Sequence, residues 1–299
     1  MTMVEQVVRF GTAAALNGIL TEPGDGREAP VAAPVILLNS GILHKVGACR
    51  LYVTLARRLA AAGVPTLRFD LSGLGDSDVR RDALGFEESA VAETREAMDH
   101  LATLRGWDTF QLAGLCSGAD VAHMTAVVDA RVMAMASIDA RTHLTPGFWW
   151  HNYAPKLLAP GTWPELIRRR LARRAATATS DDTLPDEDAF ELPAYVREIP
   201  PRDALAAELR ILATRQVQML YVFTDGLGFY NHEGQHRRAF RDVPFGSGMR
   251  ECHLRGADHI LTDPVHQQRT VDLHLEWARR TPLKPAVPVL EQVENLMSM

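Results

Sequence analysis

Short unbroken apolar runs alternate along this chain with longer stretches of helical spacing. Val35-Ile36-Leu37-Leu38 is a continuous aliphatic run of the kind a strand buried on both faces requires. Before it, Glu5–Phe10 and Leu16–Thr21 read as two strands split by small residues and followed by the turn-rich PGDGREAP. After it, Leu51, Leu55 and Leu59 recur at i, i+4 and i+8 and predict a helix closed by Gly63 and Pro65. The pattern then repeats. Thr66–Leu71 is a strand, Phe86 to Leu104 a helix, Phe110–Ala113 a strand, the segment after Cys116 a helix, and Val132–Ile138 a strand. Such alternation predicts βαβ units and a parallel sheet with helices on both faces.

The rhythm breaks at about His143 and resumes near Asp203. From there a helix leads to strand Gln218–Phe223, a short helix, strand Glu251–Leu254 and helix Val271–Arg280. The intervening stretch, 143–205, is expected to be a helical lid inserted in a single domain spanning 1–299. It begins with aromatics (Phe148, Trp149, Trp150, Tyr153, Trp163), which suit either a lid core or the wall of an apolar acyl pocket. Arg168, Arg169, Arg170, Arg173 and Arg174 follow and then an acidic run, Asp181 to Asp188. The arginines read as a solvated face or as a docking patch for an acidic partner such as an acyl carrier protein. Residues 282–299 form a Pro-rich tail with a short amphipathic end.

Composition narrows the function classes. With 299 residues, 46% apolar and 23% charged, the chain can bury a full core, and a net charge of −5 is too modest for a disordered protein. That charge also excludes a nucleic-acid binder relying on overall positive charge. No run approaches the ~20 apolar residues of a membrane span, and MTMVEQVVRFGTAA lacks the basic start and apolar core of a signal peptide. Three cysteines, Cys49, Cys116 and Cys252, are too few for a disulfide framework and lack zinc-ligand spacing. The expectation is a cytoplasmic protein with reduced thiols.

One of those cysteines sits in a distinctive frame. Gly114-Leu115-Cys116-Ser117-Gly118 lies where a strand turns directly into a helix, the context of a nucleophile elbow, with cysteine at the nucleophile's place. Ser117 is the off-by-one competitor, but its offset leaves the glycine frame unmatched. A thiol at a helix N-terminus has a lowered pKa and is intrinsically nucleophilic. The alternative is a buried structural cysteine.

At this point the chain resembles the α/β-hydrolase superfamily, over essentially its whole length. Leu38-Asn39-Ser40-Gly41-Ile42 lies where that family keeps its His-Gly oxyanion turn, with Ser40 in place of histidine. Phe69-Asp70-Leu71-Ser72-Gly73-Leu74-Gly75-Asp76-Ser77 is similar to its D-x-R-G-x-G-x-S loop, and Gly256-Ala257-Asp258-His259 to its G-x-x-H turn. Through NSGILHKVG, ARRLAAAGVPTLRFDLSGLGDS and GLCSGAD, the closer resemblance is to bacterial serine-aminopeptidase-like hydrolases, some beside exosortase or natural-product genes. The resemblance implies an α/β-hydrolase fold with a mostly parallel sheet, and His259 as general base to Cys116. For the acid it implies Asp225, after the strand Met219–Phe223, or Asp139, after Val132–Ile138, the place used by thioesterase-like members. Asp139 is preferred because Asp225-Gly226-Leu227-Gly228 looks more like an ordinary turn. Oxyanion donors would be the backbone N–H groups of Ser117 and of Ile42 or its neighbour.

The expectation is therefore acyl transfer from a thioester or ester through an acyl-cysteine, as a thioesterase, acyltransferase or cyclase needing no metal or organic cofactor. A catalytically silent binding protein of the same fold is the rival. His232-Glu233-Gly234-Gln235-His236 matches H-E-x-x-H, but Gly234 weakens the helix that must present both ligands, and charged residues flank it. Gly73-Leu74-Gly75 belongs to no phosphate-binding frame.

Overall fold

The computed structural model describes residues 3–24, 31–158, 197 and 199–281, with 153–158 described through their backbone alone. An eight-stranded sheet runs through these residues in the order β1-β2-β4-β3-β5-β6-β7-β8. The strands are β1 (Met3–Phe10), β2 (Leu16–Pro23), β3 (Val35–Leu38), β4 (Thr66–Phe69), β5 (Phe110–Leu115), β6 (Val132–Ile138), β7 (Gln218–Thr224) and β8 (Met249–Leu254). β1 and β2 pair antiparallel, as do β2 and β4; every other pairing is parallel.

The helices are α1 (Leu51–Ala61), α2 (Phe86–Arg105), α3 (Ser117–Val128), α4 (Pro146–Leu158), α5 (Arg202–Thr214), α6 (Gln235–Ala239) and α7 (Pro264–Ala278). Strand side chains alternate between two cores, as a period of two requires. Val35 and Leu37 face Leu51, Leu55 and Leu59 of α1 and Val271 and Trp277 of α7. Ile36 and Leu38 face the opposite core, with Met98 and Leu101 of α2, Val121 of α3 and Leu209 of α5. This is why Val35–Leu38 reads as an unbroken apolar run: both faces are covered, and all four residues are buried.

Chain order reverses between β3 and β5, because β3 continues to β4 on one side while β5 lies on the other. A crevice outside the carboxyl ends of strands at such a switch point is where an open α/β sheet places its ligand.

Two expectations need correction or restriction. The last helix begins at Pro264, well before Val271, because Asp263 caps it by accepting the Val265 N–H, with Pro264 in the first turn. Of the expected lid over 143–205, α4 opens the stretch and α5 closes it. Trp163, the five arginines Arg168, Arg169, Arg170, Arg173 and Arg174, and the acidic run lie outside the described residues, as do the Tyr153 side chain and the tail 282–299. No helix of the described residues is long and apolar enough to cross a membrane.

Candidate active site

β5 hands the chain to α3 through Cys116, whose φ of 55° and ψ of −118° are conformations an L-residue rarely adopts. Two glycines make room for the turn. A Cβ on Gly114 would stand 2.2 Å from the Gly118 carbonyl carbon, and one on Gly118 2.4 Å from the Leu38 carbonyl oxygen. The turn is braced from both sides. Cys116 N–H donates to the Ile138 carbonyl at 2.9 Å. The buried Tyr52 hydroxyl accepts the Leu115 N–H at 2.9 Å and donates to the Leu38 carbonyl at 2.8 Å.

Asp139 follows β6 in another left-handed backbone conformation, φ 53°. Its buried carboxylate accepts the Thr224 N–H on Oδ1 and the Thr224 hydroxyl on Oδ2, both at 2.7 Å. Oδ2 also lies 2.7 Å from His259 Nδ1. With Nδ1–H donating to Asp139, the ring's Nε2 is left for the Cys116 thiol, and the two groups shift each other's pKa.

The electrostatics follow from these contacts. Burial pushes the Cys116 thiol up, but the His259 hydrogen bond, the Arg197 charge and the Ser117 N–H together hold it below its ordinary value. His259 is raised to about 9, first by its hydrogen bond to Asp139 and then by that to Cys116, against the opposing effect of burial. A lowered thiol beside a raised imidazole shifts the pair toward its thiolate–imidazolium form, relative to the two groups apart.

Asp225 is not brought to His259. Its Oδ1 lies 2.7 Å from His253 Nε2, its Oδ2 accepts the Gly256 N–H at 2.7 Å, and its own N–H donates to the Ala257 carbonyl at 3.0 Å. Burial raises its carboxyl, yet the Gly256 N–H and His253 hold it below the usual carboxylate range.

Ser117 and Ile42 meet across the crevice through their neighbours. Ser117 Oγ accepts the Gly41 N–H at 2.6 Å, which joins the donor turn to the elbow. Leu43 N–H donates to the Ser40 carbonyl at 3.0 Å, so both amides flanking Ile42 are engaged within or beside the turn. Among the described residues, Ile42 N–H has no such partner, and the Ser117 N–H at the helix start points to the Cys116 sulfur.

Several contributors were not assigned a role from the sequence. Arg197 grips both oxygens of Asp120, at 2.6 and 2.7 Å, and places Nη1 2.8 Å from the Asp139 carbonyl and 3.9 Å from Cys116 Sγ. Nothing along the chain connects a lone arginine to an elbow some 80 positions earlier. The turn carrying Ile42 rests on buried Asn39, Lys45 and Asp70, with exposed Asp76 at the edge. Lys45 Nζ lies 2.6 Å from both Asp70 Oδ2 and Asp76 Oδ2. Asn39 Nδ2 donates to the Leu43 carbonyl at 2.7 Å, and Asn39 Oδ1 accepts the Leu71 N–H at 2.9 Å. His44, Asp70 and Asp76 are close enough together to resemble a cation site, but the Lys45 ammonium occupies its centre, 3.1 Å from His44 Nε2.

The H-E-x-x-H residues do not converge. Gly234, at φ 78°, starts α6 after His232, so the two histidines do not share a helix face. His236 is buried against Tyr221, Phe223 and Phe240, its Nδ1 2.9 Å from the Thr142 hydroxyl. Glu233 accepts the His253 N–H at 2.9 Å.

No family model and no curated sequence matches the chain. Solved structures do. A dienelactone hydrolase from Anabaena variabilis superposes with a TM-score of 0.57 at 14% identity, covering 94% of this chain and 99% of that one. A thermophilic esterase from Thermogutta terrifontis gives 0.56 at 18% identity, over 92% and 98%. An α/β serine hydrolase without a lid from Xanthomonas campestris gives 0.52 at 13% identity, over 94% and 97%. At such identities the likeness speaks to architecture, and with the sheet order and elbow described above it establishes that this chain has the α/β-hydrolase fold.

Proposed function

We propose that the protein is an acyl-transfer enzyme in which Cys116 attacks the carbonyl of a thioester or ester. The observation that carries this reading is the continuous relay from Asp139 through His259 to Cys116, ending on a thiol held below its ordinary pKa. The esterases and hydrolases among the structural neighbours support the hydrolase-type part of it.

The chemistry follows from the geometry. The Cys116 thiolate adds to the carbonyl carbon, and the oxygen takes up the negative charge between the N–H groups of Ser117 and Ile42. The intermediate collapses as the carbon–heteroatom bond breaks. His259 Nε2 gives its proton to the departing thiol or alcohol, leaving an acyl-cysteine. Neutral His259 then takes a proton from the acceptor, which attacks the thioester and releases the Cys116 thiolate. Asp139 holds the imidazole in the tautomer both steps need and remains a carboxylate throughout. A thioester intermediate exchanges readily with thiols and amines, so the acceptor is water or a second nucleophile. Ile42 and Leu43 beside the donor turn, Leu227 beyond β7 and Ile260 next to His259 are exposed apolar side chains on the loops that frame the site. They favour an apolar acyl group.

The test is intact-mass detection of an acyl adduct after incubation with a panel of acyl thioesters, with peptide mapping of the label. An adduct on Cys116 that disappears in His259→Ala supports the reading. Absence of any adduct or turnover, with Cys116 alkylated no faster than Cys49 or Cys252, favours the silent binding protein instead.

A further inference from the structure

Arg197 is the remaining charged group at the reacting sulfur, and its placement is over-determined. Four of its N–H contacts go to protein acceptors: two to the Asp120 carboxylate, one to the Asp139 carbonyl and one toward Cys116 Sγ. Arginine has five N–H donors in a rigid fork, so little remains to greet a substrate carboxylate. Asp120 sits in the first turn of α3, directly beyond the elbow, and is itself buried. Arg141 approaches the same carboxylate, its Nε 3.3 Å from Asp120 Oδ2. The guanidinium is thus fixed to the helix that presents the nucleophile and to the backbone of the residue that carries the acid.

Resting on the proposed acyl-cysteine chemistry, we propose that Arg197 is a second, permanent counter-cation to the Cys116 thiolate, and that Asp120 is the positioning residue that aims it. His259 surrenders its proton to the leaving group and regains one only from the acceptor, so its charge comes and goes within each cycle. Arg197 keeps its charge at every stage. When the acyl-cysteine breaks down, His259 has just received the acceptor's proton, and both cations face the emerging sulfur anion. A thiolate stabilised in this way is a better leaving group from the tetrahedral intermediate. The other ionisable groups around the sulfur are Tyr52 from α1, Asp139 from β6, and Asp120 with Arg141 behind Arg197.

The experiment follows alkylation of Cys116 by the neutral reagent iodoacetamide across a wide pH range, in wild type, Arg197→Met, Arg197→Lys and Asp120→Asn. Labels are mapped to Cys116, and thermal unfolding is recorded for each variant. Arg197→Met is expected to move the midpoint of the profile up by about one unit or more, a tenfold change in the thiol's ionisation constant. Arg197→Lys, which keeps the charge but loses the fork, should fall between it and wild type. Asp120→Asn separates positioning from simple charge. Removing a nearby negative charge would lower the midpoint, whereas releasing the guanidinium raises it, and the proposal requires the rise.

With a thioester substrate, the loss in Arg197→Met should appear in kcat, with KM little changed. An unshifted midpoint in both Arg197 variants overturns the proposal while leaving Cys116 as nucleophile. A fall of the midpoint in Asp120→Asn overturns the positioning role. Wild-type Cys116 that reacts no faster than Cys252 removes both this inference and the function on which it rests.

Discussion

Asp225 Oδ1 stands 2.7 Å from His253 Nε2, so the carboxylate at the end of β7 braces the loop that delivers His259 rather than orienting its ring. The two candidate acids therefore do different work. Asp139→Asn removes the acceptor that fixes the imidazole, and the acylation rate should fall on the order of 10²-fold. Asp225→Asn should leave that rate nearly unchanged and instead cost about 1 kcal/mol of stability, through the weakened contacts to Gly256 and His253. Acylation kinetics beside thermal melts of the two variants separate these outcomes. Equal losses in rate would count against the assignment.

The pH dependence has two limbs with distinct owners. The thiol is held below its ordinary value, so alkylation should switch on as pH rises through that lowered pKa and then stay on. Acylation by the proposed route also needs the imidazolium to protonate the leaving group, and His259, raised to about 9, would lose that proton near that pH. Turnover should therefore be bell-shaped, with its basic limb near 9, whereas iodoacetamide labelling shows the acidic limb alone. In His259→Ala the acidic limb should move upward, because the thiolate loses its hydrogen-bonded cation.

Gly114→Ala tests the elbow. The added Cβ would meet the Gly118 backbone at 2.2 Å, and neither partner is a flexible side chain that can move aside. A destabilisation of about 1–3 kcal/mol is expected, with Cys116 losing its selective reactivity even in the folded fraction. Denaturant unfolding and alkylation mapping on the same sample measure both.

Lys45 serves as a built-in cation beneath the donor turn. Lys45→Met leaves the fully buried Asp70 facing Asp76 without its ammonium and should cost about 3–5 kcal/mol. Adding Asp70→Asn should recover part of that loss, since the two side chains share one interaction. Chelator treatment of the wild type should leave its melting temperature unchanged, because the ammonium already fills the space among His44, Asp70 and Asp76.

Much of the architecture was legible because burial on both faces leaves a plain trace. Val35–Leu38 and Val132–Ile138 are strands at the bounds their apolar runs suggest. The early start of α7 was legible too, in Asp263 and Pro264, but a cap is a signal of two residues and the apolar spacing from Val271 onward is louder. Local turn chemistry after Asp225 tilted the choice of acid only slightly toward Asp139. Both follow strands, and only the packing of β6 against β7 decides which carboxylate meets Thr224 and His259. Arg197 and Lys45 owe their places to contacts across the fold, where side-chain identity along the chain carries no address.

The last paired rung between β3 and β5 joins Leu38 to Gly114. One residue later, the Leu115 N–H and the Leu38 carbonyl meet the Tyr52 hydroxyl instead of a neighbouring strand. A phenol thus acts as a spacer wedge at the point where the sheet unzips. The gape between the Ser40–Leu43 turn and Cys116 is set by the length of one side chain from α1. Shortening that wedge would leave two buried backbone groups with an incentive to seek each other, narrowing the cleft from beneath without touching any residue that lines it.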